Sequence, residues 1–162
     1  MAKTAQIQLR VTPTEKAALV RRARAAGLDL SAWMLRSLLP DERVRFAALV
    51  RSLATTSRPP FVLAEINDLL AALGRGELSI VTDVPPPSSI DAVRANQLAA
   101  MVETRAAQLG VRPPSWLEEV KPLARPWFAT DMIGLRLHLL CHSPPAFRRR
   151  NLFVDATVGD RV

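Results

Sequence analysis

Three side chains near the start of the chain, Gln6, Gln8 and Arg10, are of the types that read nucleic-acid bases. They alternate with Ile7, Leu9 and Val11, so an extended strand over residues 4–11 puts the polar trio on one face and the apolar trio on the other. A glutamine amide donates and accepts together against adenine, and an arginine guanidinium bridges O6 and N7 of guanine. A second cluster, His138, Cys141 and His142, has the spacing with which one helical face offers ligands to a metal. No fourth ligand lies nearby and the flanking Leu135–Leu140 reads as core, so these residues are expected to be packed ones. A thiol nucleophile at Cys141 lacks an orienting group. The chain has no Gly-rich phosphate loop and no nucleophile elbow, and Glu118-Glu119 beside Trp116 reads as a solvated turn. No catalytic residue, metal or cofactor is therefore expected.

A polar strand face of this kind needs a scaffold, and the next thirty residues supply one. Thr12-Pro13-Thr14 ends the strand and starts a helix, with a threonine as cap and Pro13 pre-set for a first turn. Glu15 to Ala26 is rich in helix formers, and Gly27 ends it. Asp29 or Ser31 opens a second helix from Leu30 to Leu39, with Leu30, Trp33, Met34 and Leu38 at helical spacing and Pro40 as the stop. A lone strand has unpaired amides and needs a partner, and pairing with the same strand of a second chain supplies one. Such a two-stranded ribbon fits the major groove.

Residues 4–39 resemble the ribbon-helix-helix family of Arc, MetJ and CopG repressors, with Gln6-Ile7-Gln8-Leu9-Arg10 similar to the Arc strand pattern. The resemblance implies a homodimer on double-stranded DNA in which Gln6, Gln8 and Arg10 contact bases. It also implies a phosphate at the N-terminus of the second helix, near the amides of Leu30 and Ser31. Lys3, Arg21 and Arg22 are the further phosphate contacts expected. Asp29 departs from the neutral cap of many relatives, since a carboxylate caps well but repels a phosphate.

Charge agrees with a polyanionic partner. The chain carries +7, of which +5 falls in residues 1–40, where seven Lys or Arg stand against Glu15 and Asp29. The N-terminus lacks the apolar run of a signal peptide, no run is long enough to span a bilayer, and Cys141 is a single cysteine. A cytoplasmic protein without membrane contact is expected.

Residues 41–162 read as mainly helical with a short terminal strand. The expected division is a ribbon-helix-helix module over 1–40, a helical segment over 41–83, a Pro-rich linker over 84–89 and a partner-binding unit over 90–162. Helices are expected over 41–53 (with Val44, Leu49, Val50 and Leu53 inward), 61–73, 90–109 (capped by Ser88 or Ser89) and 130–142, and a β-prone run over 78–81. Trp116, Trp127, Phe128, Phe147, Arg148, Arg149, Arg150 and Phe153 are of types favoured at protein-binding hot spots. The plainer reading is a basic turn entering a terminal strand, with Phe147, Leu152 and Phe153 buried. The stretch from Val111-Arg112-Pro113-Pro114-Ser115-Trp116 to the Phe147-Arg148-Arg149-Arg150-Asn151 tail resembles C-terminal regions of bacterial antitoxins, which implies an autoregulating DNA-binding antitoxin that neutralises a cognate toxin. A plasmid partition or mobilisation accessory protein, with a relaxase or ATPase as partner, is the alternative. Arg136 and His142 also resemble the Arg and His signature of HEPN ribonucleases, which implies a ribonuclease as a third reading.

Overall fold

A computed structural model describes residues 8–25, 27–38 and 41–155. The chain divides into two compact units, one ending at Asp41 and one beginning at Glu42.

In the first unit, Gln8 to Val11 carry no regular secondary structure, and residues 4–7 of the expected strand lie outside the described residues. Helix α1 spans Pro13–Ala25. Its start is a capping box in which the Glu15 carboxylate accepts from the Thr12 amide at 2.8 Å and the Thr12 hydroxyl accepts from the Glu15 amide at 3.3 Å. Gly27, at φ +67°, closes the helix, with Leu28 donating to the Ala23 carbonyl and Gly27 to that of Arg24. Helix α2 spans Leu30–Leu38, and Asp29 caps it by accepting from the Ala32 amide at 2.9 Å. The two helices pack on each other, and Ala23 is the one buried residue among those of this unit whose burial is described.

The second unit is built around a hairpin of α3 (Glu42–Thr55) and α4 (Pro59–Ala72), the short α5 (Arg75–Val81) and the long α6 (Ala92–Leu109). Its main core joins Phe46, Val50 and Leu53 of α3, Ile66, Leu69 and Leu70 of α4, Leu78 and Val81 of α5, and Leu98, Ala99, Val102 and Ala106 of α6. Trp116 and Leu117, in a 3₁₀ turn over Ser115–Glu118, close it. A second cluster on another face of α6 gathers Ala100, Ala146, Phe147, Leu152 and Val154. Two arginines of α6 tie the helices together. Arg94 donates to the Leu53 carbonyl at the end of α3, and Arg105 donates to Ala71 and Leu73 at the end of α4.

Several expectations are corrected. Residues 84–89 do not separate units, because one core runs through the elements on both sides; residues 42–83 pack with the C-terminal elements, α6 above all. Residues 78–81 belong to helix α5, since the Glu77 carboxylate accepts from the Gly74 amide and Leu78 and Val81 turn inward with helical spacing. In α3 Val44 is exposed and Phe46 takes the inward place, because the buried stripe runs 46, 50, 53. Asp91, rather than either serine, caps α6 by accepting from the Arg94 amide. The closing Gly110 at φ +62° is as expected.

Beyond the 3₁₀ turn the chain forms β1 (Trp127–Phe128), α7 (Ile133–His142), α8 (Pro145–Arg148) and β2 (Leu152–Phe153). The strands pair in parallel, Trp127 opposite Leu152 and Phe128 opposite Phe153. Helix α7 begins three residues later than expected, and its leucines are not core: Leu135, Leu137 and Leu140 are exposed and only Leu139 is buried. Among the described residues, no helix is long and apolar enough to cross a membrane.

Candidate nucleic-acid interface

The first unit carries the charge and the polar face. Gln8, Arg10, Arg21, Arg22 and Ser31 are exposed and Leu30 is half-buried. Lys3 and Gln6 lie outside the described residues. Of the apolar residues that alternate with Gln8 and Arg10, Leu9 is 62% and Val11 39% exposed. Trp33 and Met34 of α2 are likewise only half-buried. At the start of α2 the Asp29 carboxylate takes the Ala32 amide, which puts a negative charge at the helix end where the resemblance places a phosphate.

The aromatic and basic residues near the C-terminus do not form a surface strip. Trp116 is buried and its Nε1 donates to the Thr82 carbonyl at 2.8 Å. Phe147 and Phe153 are buried, Phe153 stacks on the half-buried Phe128 at 5.0 Å, and half-buried Trp127 packs against the second cluster. Arg150 is also buried. It donates to the carbonyls of Val120 and Leu117 at 3.1 and 3.3 Å and pairs with Glu103 at 3.4 Å. Burial pushes the Arg150 guanidinium below its ordinary pKa, and the Glu103 charge works in the opposite direction. Arg149 reaches Glu103 from the exposed side, and Arg148 faces solvent. These residues hold the fold, as the plainer sequence reading has it. Glu103, which anchors two arginines, carried no signal in the sequence because its partners lie 46 and 47 positions away.

The ligand-like residues of α7 do not assemble a metal centre. The rings of His138 and His142 stack at 4.1 Å, the His142 Nδ1 lies 2.9 Å from the His138 carbonyl, and His138 Nε2 is 3.6 Å from Asp155. Cys141 is exposed. Among the described residues, no group of three or more His, Cys, Asp or Glu side chains is placed to hold a metal ion. Arg136 lies over the Phe128 ring at 5.1 Å, whereas His142 stacks on His138, so the two engage different neighbours.

The first unit is a small basic helical hairpin that follows an alternating polar and apolar N-terminal segment. Residues 1–75 match the NikA-like family, described as mobilization protein NikA. The matched stretch takes in all of the first unit and continues through α3 and α4, ending at the first residue of α5. No curated protein and no solved structure matches the chain.

Proposed function

We propose that this protein is a DNA-binding accessory protein of plasmid mobilisation, dimeric through its N-terminal unit. The match of residues 1–75 to a mobilisation-protein family carries this reading and favours it over an antitoxin role. Physical support comes from the exposed Leu9 and Val11 and the half-buried Trp33 and Met34 of the first unit, apolar surface that a second chain would cover. In a two-stranded ribbon, the Leu9 and Val11 face closes over the helices of both chains, and Gln6, Gln8 and Arg10 of each chain point into the major groove. Lys3, Arg21 and Arg22 neutralise phosphates. Asp29 weakens any phosphate contact at Leu30 and Ser31, so affinity rests on the arginines. The second unit then serves a protein of the mobilisation machinery, a relaxase or an ATPase.

The test is an electrophoretic mobility shift with DNA flanking the protein's own gene, comparing wild type with the triple variant Gln6→Ala, Gln8→Ala, Arg10→Ala. A specific shift in wild type that the variant loses supports base reading by the ribbon. A wild type that binds this DNA no better than random DNA at moderate salt overturns it.

A further inference from the structure

Two basic segments of the second unit, residues 120–127 and 147–151, are fastened side by side. The Arg150 guanidinium donates to the Val120 carbonyl at 3.1 Å, and the Leu123 amide donates to the Arg150 carbonyl at 3.2 Å. The Asn151 side chain donates to the Leu123 carbonyl, and its own carbonyl accepts from the Trp127 amide, both at 2.9 Å. Asn96 of α6 fixes the start of the first segment by donating to the Lys121 carbonyl at 3.0 Å. This frame carries Lys121 and Arg125 on one segment and Arg148 and Arg149 on the other, all four exposed. Neither segment contains an acidic residue, and Glu118 and Glu119 precede the first one in the chain. Arg149 reaches Glu103, but among the described residues Lys121, Arg125 and Arg148 pair with no carboxylate. Cations gathered without counter-charges repel one another, a cost that a polyanion removes.

We propose that this paired basic surface is a second nucleic-acid contact, in which Lys121, Arg125 and Arg148 bind the phosphate backbone of duplex DNA without reading its sequence. The chemistry around the cations selects the partner. A protein partner is gripped through aromatic and aliphatic anchors at the centre of the contact. Here those side chains turn inward: Leu123 and Trp127 are half-buried against the second cluster, and Phe147 and Leu152 are buried. Single strands are held by aromatic faces on which bases stack, and the same burial removes them. What remains outside is charge on a hydrogen-bonded frame, and phosphate contacts require only that. The contact lies wholly within the second unit and stands without the ribbon.

The experiment follows binding of the full chain to a labelled duplex of random sequence by fluorescence anisotropy across a salt series. The patch variant carries Lys121→Ala, Arg125→Ala and Arg148→Ala. Its control carries Arg51→Ala, Arg58→Ala and Arg112→Ala, which remove the same charge from exposed positions elsewhere in the second unit. Each phosphate contact adds about 0.9 to the slope of log affinity against log salt, so the patch variant is expected to lose roughly 2–3 from that slope. Its affinity is expected to fall several-fold on every sequence, while the control changes little. Arg125→Lys with Arg148→Lys keeps the charge and is expected to keep the slope, whereas a merely structural role for the arginines would lose binding here too. Equal losses in patch variant and control, or no loss in either, overturn the proposal. A wild type that prefers its own DNA while the patch variant keeps the full slope leaves the ribbon standing and removes this contact. A wild type without sequence preference whose slope falls in the patch variant does the reverse, and one that binds no DNA overturns both.

Discussion

Replacing Arg150 with alanine separates a structural arginine from its two neighbours. Arg150 is 7% exposed and its guanidinium serves the Val120 and Leu117 carbonyls and Glu103 together, tying the turn before β2 to α6 and to the segment after the 3₁₀ turn. Removing it strands two carbonyls and leaves the mostly buried Glu103 with only the exposed Arg149. Each charge-assisted hydrogen bond is worth about 1.5–3 kcal/mol, and breaking a buried pair by deleting one partner costs about 3–5 kcal/mol, so a total of ~3–5 kcal/mol is expected. For a unit of this size that lowers Tm by roughly 10–20 °C. Arg149→Ala removes a pair whose arginine side chain is 67% exposed and costs less than about 1 kcal/mol; Arg148→Ala is close to neutral, within about 0.5 kcal/mol. The assay is urea unfolding followed by tryptophan fluorescence in a Trp33→Phe background, which leaves Trp116 and Trp127 to report the second unit alone. Equal losses at all three arginines, or less than about 1 kcal/mol at Arg150, refute the assignment of Arg150 to the core.

Other perturbations test single contacts. Ser143→Ala removes the hydroxyl that accepts from the buried Val154 amide at 2.9 Å and also bonds at the end of α7; a loss of about 1–3 kcal/mol and faster hydrogen exchange at Val154 are expected. Gly110→Ala forces φ +62° on a residue with a Cβ 3.3 Å from the Arg75 guanidinium and costs about 1–2 kcal/mol in thermal unfolding. Gly76→Ala, in open space within α5, instead stabilises by about 0.5–1 kcal/mol. On DNA, Arg10→Ala is expected to cost about 1–3 kcal/mol on the preferred site and relax sequence preference, whereas Arg21→Ala weakens all sequences alike. The Thr12 amide and hydroxyl hold Glu15 below its ordinary pKa of 4.5. Its contribution to the start of α1 is thus present above that value and fades as pH falls through the lowered one. The Thr12 amide resonance should shift over that acid range in wild type and stay put in Glu15→Gln.

Local physics made much of the helical skeleton legible from the sequence. Thr12 with Glu15, Asp29, Gly27 and Gly110 act within three to five residues of themselves, so cap chemistry placed the starts of α1 and α2 and the ends of α1 and α6. The period-two run at 6–11 and the surplus of arginines pointed to DNA for the same reason, since both are properties of neighbouring residues. Local reading missed the Asp91 cap of α6, which lies two residues beyond the serines it singled out, and the β-prone run 78–81 went to helix α5, whose Leu78 and Val81 pack into the main core. Burial was beyond local reach. Leu137 and Leu139 are the same residue two positions apart, and the packing of α7 against β2 leaves one outside while the other is buried. The basic aromatic tail looked like a docking strip because Arg150 and Phe147 are hot-spot types. Tertiary structure made Arg150 core by bringing Glu103, Leu117 and Val120 to it from 30 or more positions away, and Phe147 by packing it with Ala100 of α6. The sequence alone determined which short segments could be helices and where positive charge gathers, because those depend on side chains within one turn of each other. Tertiary structure decided which faces are covered and that residues 42–83 join the C-terminal part, because covering a face depends on what the rest of the chain brings against it.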